Sequence, residues 1–95
     1  MKAILKKPGE PAEICEVENS LKGLQEAVGG YIETFSFHEH FCVICNEEGR
    51  ILGLPYNLTF LGVPFVGPVL FVGVSGDQFR DITEKGAKWL MKWVK

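Results

Sequence analysis

The chain has little of what usually announces a function. It has no uninterrupted apolar run long enough to cross a bilayer. The longest, Leu61 to Val74, is broken by Gly62, Pro64, Gly67, Pro68 and Gly73, so it cannot form a spanning helix. The apolar part of the opening MKAILKKPGE is too short for a signal peptide. No one sign of charge dominates: a net charge of -2 argues against a strongly basic nucleic-acid binder, though it leaves room for a local basic face. Cysteines are few and odd in number (Cys15, Cys42 and Cys45), and all three fall in expected strands. These features together point to a cytoplasmic protein with reduced thiols and no membrane association. Without secretion, the sequon Asn57-Leu58-Thr59 carries no meaning. Internal repeats, low-complexity tracts and linkers are also missing.

What is present suits one ordinary globular domain over residues 1–95. Hydrophobic residues make up 46% of the chain and charged ones 23%, far from a disordered composition. A chain this short buries only roughly 60–65% of its unfolded surface, so a partner that covers more is expected.

The organising stretch is Phe41 to Asn57, FCVICNEEGRILGLPYN. Phe41 to Cys45 is apolar on both faces, the mark of a central strand. Glu47-Glu48-Gly49 reads as a hairpin loop with Gly49 as the left-handed residue, and Arg50 to Leu54 as the return strand, ended by Pro55. Before this stretch, Lys2–Lys6 and Glu13–Glu18 alternate like an antiparallel hairpin, the second strand near an edge. Asn19 or Ser20 caps a short helix whose Leu21, Leu24, Ala27 and Val28 share a face, and Gly29-Gly30 stops it. Tyr31 to Phe37 is a further strand. After the stretch, Asn57 to Leu61 is read as a helical turn capped by Asn57. Val69 to Val74 is a second two-sided apolar strand beside the central hairpin, and Ser75-Gly76-Asp77 is a turn. The closing helix runs from about Ile82 to Val94, capped by Asp81 or Thr83, with Ile82, Gly86, Trp89, Leu90 and Trp93 on its buried face. The expected fold is therefore α+β: a mixed, mainly antiparallel sheet of five or six strands with one short internal helix and a C-terminal helix. Val43, Ile44, Val69, Phe71, Trp89 and Leu90 should form the core.

Three segments carry a resemblance: LQEAVGGYIE (Leu24 to Glu33), ICNEEGRILGLPYN (Ile44 to Asn57) and GPVLFVG (Gly67 to Gly73). In this order they resemble a small domain-of-unknown-function family met in gut-type Firmicutes, phages and mobile genetic elements. The resemblance covers nearly the whole chain and implies a biological setting, but no activity, cofactor or catalytic residue. His38-Glu39-His40 and the Trp-Lys tail are not parts of that pattern.

Three constellations are weighed against plainer readings. His38, His40, Cys42 and Cys45 are all zinc-type ligands. On an extended strand, however, His38, His40 and Cys42 share one face and Cys45 the other, so strand-end histidines and buried thiols are the better account and no metal site is assigned. Lys85, Lys88, Lys92 and Lys95, flanked by Trp89 and Trp93, suit a nucleic-acid backbone or a membrane surface. The tryptophans share the face that must be buried, though, so a solvated lysine face is the first reading. Asn46, Glu47, Gly49 and Asn57, beside the Leu54–Pro68 loop, are the candidate ligand-binding residues. The plainer account of Asn46 and Asn57 is side-chain capping.

The function expected is a non-catalytic interaction or regulatory module of a phage or mobile element that binds a protein or small molecule without a cofactor. The alternative is a nucleic-acid-associated accessory protein using the lysine helix, and weaker still is a metal-dependent enzyme. Apolar residues Phe60, Leu61, Val63, Phe65 and Val66 look unlike a loop that stays in water, so a homodimer through that loop or an outer strand is expected.

Overall fold

Two strands that are apolar on both faces need cover on both sides, and the architecture supplies it in three layers. The computed structural model describes residues 1–94. Its elements are β1 (Lys2–Lys6), β2 (Glu13–Glu16), α1 (Leu21–Val28), β3 (Ile32–His38), β4 (Phe41–Asn46), β5 (Tyr56–Phe60), β6 (Val63–Val66), β7 (Val69–Ser75), β8 (Gln78–Arg80) and α2 (Glu84–Trp93). The main sheet has six strands in the order β2-β1-β7-β4-β3, with β8 pairing the far end of β7. Every pairing is antiparallel. The fold is α+β, with β4 and β7 as neighbours at the centre and β2 at an edge. None of the described helices is long and apolar enough to cross a membrane.

Alternation along the central strands builds two cores. On one side Ala3, Cys42, Ile44, Leu70 and Val72 pack with Leu24 and Val28 of α1. On the other, Ile4, Val43, Cys45, Val69 and Phe71 pack with Ile82, Ala87, Leu90 and Val94 and with Phe60 and Phe65. The short helix forms because its ends are satisfied. Ser20 Oγ accepts the Gly23 N–H at 3.0 Å, and Gly29 takes the left-handed φ of 81° that closes the last turn. Thr83 caps α2 in the same way, accepting from Gly86 N–H at 2.9 Å.

The segment after β4 departs from expectation. Arg50 to Leu54 makes no return strand. Leu52 N–H bonds back to Glu48 C=O at 2.9 Å and Leu54 N–H to Gly49 C=O at 2.9 Å, so the chain coils through turns. Gly49 is not left-handed. Its missing side chain admits a close approach instead, since a Cβ there would lie 2.9 Å from Val66 Cγ2. Asn57 to Leu61 is not helical either, because Tyr56–Phe60 pairs with Val63–Val66 as a separate two-stranded sheet. Leu61 and Gly62 join those strands with φ of 49° and 83°, the two positive values of a type I′ turn. Pro64 is tolerated because this ribbon has only edge strands.

That ribbon also changes the argument for a dimer. Phe60 and Phe65 are each only 3% exposed, and Phe60 meets Phe71 edge-on at 5.2 Å. Of the apolar residues expected to seek a second copy, Phe60 and Phe65 fold back onto the sheet, Val63 and Val66 are half-buried, and Leu61 stays 60% exposed.

Cys42 and Cys45 face opposite layers, as alternation requires. Burial pushes the Cys42 thiol up to about 11. Burial, then the nearby Glu33 carboxylate, pushes Cys45 up to about 11 as well. The native state thus holds both protons more tightly than the unfolded chain, whose thiols ionise near 9.0. The stability this contributes is complete below that pH and is lost as pH rises toward 11. Within the window each thiol contributes a fall of up to ~1.4 kcal/mol per pH unit. The Tm should therefore drop more steeply in alkali than that of a Cys42→Ala/Cys45→Ala variant. Parallel pH curves would show that the thiols are not buried.

Candidate functional site

A concavity lies where the β3–β4 turn meets the start of α2. Its volume is about 500 Å³, and its walls include His38, His40, Phe41, Lys85, Gly86 and Trp89. The floor follows from sequence and packing together. Phe41 opens β4 on the side facing α2 and is only 8% exposed, so its ring is fixed. His38 stacks on it at 5.4 Å and 13°, and His40 lies 5.2 Å from His38. On the other flank Trp89 lies 5.9 Å from Phe41, and Trp93 is 5.9 Å beyond Trp89. The five rings form one continuous run across the groove.

The turn also sets the histidines. His38 Nδ1 accepts the His40 backbone N–H at 3.1 Å; that bond leaves Nε2 as the ring nitrogen that can donate. His40 Nε2 is 3.3 Å from Glu39 Oε1, and both side chains are exposed. Because Glu39 and His40 belong to the turn, strand alternation stops at His38. His38, His40 and Cys42 therefore do not share a face, and Cys42 is buried in the layer beneath α1. Among the described residues no three His, Cys, Asp or Glu side chains are grouped to hold a metal ion.

The tryptophans were expected in the core and are not there: Trp89 is 43% and Trp93 65% exposed. The helix starts at Glu84, so Ile82 precedes it and cannot set its phase. Ala87, Leu90, Met91 and Val94 supply the buried stripe instead. Helical positions turn about 100° apiece. Lys85, Lys88, Lys92, Trp89 and Trp93 then share roughly 140° of arc opposite that stripe. Lys88 pairs with Glu84 at 3.6 Å. Lys95 lies outside the described residues.

The residues expected to bind a ligand are divided between two places. Asn46 and Glu47 line a second, smaller hollow of about 290 Å³ with Glu33, Arg50 and Val66. Asn46 is occupied structurally: its Nδ2 donates to Val28 C=O at 3.2 Å, and its Oδ1 accepts from Glu48 N–H at 2.8 Å. Asn57 lies in β5 rather than at a helix start, and donates to Lys6 C=O at 2.7 Å and Gly67 C=O at 2.8 Å. No sequence spacing joins His38, His40 and Phe41 to Trp89. Their meeting depends on where α2 crosses the sheet, and the only local signal was an HEHF run next to a two-sided strand.

Over residues 1–95 the chain matches the model of a domain of unknown function, DUF3846, and it belongs to that family. No curated protein and no solved structure matches it.

Proposed function

We propose that this DUF3846 chain is a non-catalytic binding module and that the groove between the β3–β4 turn and α2 is its ligand face. One observation carries the reading. The fold keeps Trp89 and Trp93 in water beside exposed histidines, although α2 is already held by Ala87, Leu90 and Val94. Large aromatic surface that the core does not require is a mark of recognition. The setting in a phage or mobile element is part of the proposal and rests on the motif resemblance alone. A homodimer stays within it too, with the contact moved to an outer strand, β2 or β3.

An amide and indole NMR screen with a mixed library of small aromatic, peptide and nucleotide fragments tests the reading. Shifts should gather on Trp89, Trp93, His38 and His40. Shifts confined to the hollow beside Glu33 and Arg50, or none with any fragment, would overturn it. Sedimentation of the same samples at micromolar concentration decides the dimer, which a clean monomer removes.

A further inference from the structure

We infer that the groove takes single-stranded nucleic acid, its bases stacking on Trp89, Trp93 and His40 and its phosphates following Lys85, Lys88 and Lys92. This rests on the groove being the binding face and names its ligand. The objection to such a ligand was that the tryptophans had to be buried. They stand instead on the exposed arc of α2 next to the lysines. Unpaired bases offer flat apolar faces with anionic groups between them, so a binder needs aromatic rings and cations side by side. Here the rings extend past the groove to Trp93, which suits successive bases better than a single nucleotide. Charge agrees. Lys85 is the charged residue in the groove wall, with His38 and His40 beside it, and no carboxylate of the described residues lines it. Two acids stand beside proposed contacts, Glu39 at 3.3 Å from His40 and Glu84 at 3.6 Å from Lys88, and both are exposed pairs that a phosphate must displace. With His38 Nδ1 taken by the His40 N–H, Nε2 is the ring nitrogen left to donate to a phosphate or a base edge.

The test is titration of the full chain with a single-stranded oligothymidylate, followed by tryptophan fluorescence and by anisotropy of a labelled strand. Indole fluorescence should be quenched. Three phosphate contacts predict a log–log salt slope of about -2. Trp93→Ala and Lys92→Glu alter exposed side chains, so folding should survive, and each should weaken binding by roughly tenfold or more. Lys22→Glu on α1 should change it little. Thermal melts confirm that the variants fold. Polyglutamate of equal charge should bind more weakly than the strand, and a duplex of the same length likewise, since its bases are already stacked. No quenching at low salt, equal binding of polyglutamate or duplex, or a Trp93→Ala variant that binds normally overturns the inference. If the strand fails while fragments still gather on the groove, nucleic acid is the wrong ligand and the binding-module reading stands. If the strand binds with its shifts outside the groove, the inference fails, and the binding-module reading fails with it only when the fragments miss the groove as well.

Discussion

Replacing Phe71 with alanine is expected to cost about 3–5 kcal/mol. Phe71 is fully buried. It sits opposite Ile4 on one neighbouring strand and Val43 on the other. Its ring also receives the edge of Phe60 from the β5–β6 ribbon. Truncation therefore opens a cavity where three elements meet, and the ribbon has no other aromatic contact with β7 to close it. A domain of this size has roughly 5–15 kcal/mol in hand, so the variant should approach the unfolding threshold at room temperature. Urea unfolding measures the loss. Truncating Ile14, which is 54% exposed on edge strand β2, should shift the curve by no more than ~0.5 kcal/mol. A Phe71→Ala loss as small as that of Ile14→Ala would contradict the placement of β7 at the centre.

The parts of the fold that were legible are those where a local rule and the tertiary structure agree. Val69 to Val74 and Phe41 to Cys45 are apolar at every position, and only a central strand uses both faces. Ser20 and Gly29-Gly30 bracket α1 because each satisfies backbone groups that the helix leaves unpaired. The β5–β6 ribbon was illegible for the opposite reason. Its turn places a leucine at a positive φ, where glycine or asparagine is the usual signal, and one of its strands contains a proline. Tertiary contacts of Phe60 and Phe65 hold it, and no local pattern reports them. Arg50 to Leu54 has a strand-like apolar pair in Ile51 and Leu52, but no neighbouring strand is free to receive it. Both flanks of β4 are taken by β3 and β7.

The candidate site was legible as residue types and illegible as a place. Treating Ile82 as the first helical position rotated the apolar stripe of α2 toward Trp89 and Trp93. Once the helix starts at Glu84, Ala87, Leu90, Met91 and Val94 fall at i, i+3, i+4 and i+7. One residue of phase moved two tryptophans from core to surface, and with them the weight of the lysines. Asn46 and Asn57 went the other way, from candidate ligand contacts to hydrogen-bonded parts of the frame.

That reassignment makes Asn57→Asp a sharp test, because the substitution keeps the shape and reverses the chemistry. Both Asn57 Nδ2 protons are used, on the carbonyls of Lys6 and Gly67, and they tie the start of the ribbon to the end of β1. The side-chain oxygen, Oδ1, is buried with no hydrogen-bond partner among the described residues. An aspartate would set a charged oxygen against two carbonyl oxygens, with nothing to donate to any of them. An uncompensated buried charge costs roughly 3–5 kcal/mol, so the variant should lose about that much at neutral pH. The native state would bind the aspartate's proton more tightly than the unfolded chain, whose Asp titrates near ~3.9. The deficit relative to the wild type should therefore shrink as pH falls through the raised native pKa toward that value. Asn57→Ala loses the same two bonds without adding a charge. It should cost less, ~1–3 kcal/mol in all, since Lys6 C=O also faces Val69 in the β1–β7 ladder, with no pH dependence of its own. Urea unfolding of the three proteins at neutral and acid pH separates these outcomes. An aspartate variant as stable as the wild type at neutral pH would show that the Asn57 side chain is solvated and would dissolve the link between ribbon and sheet.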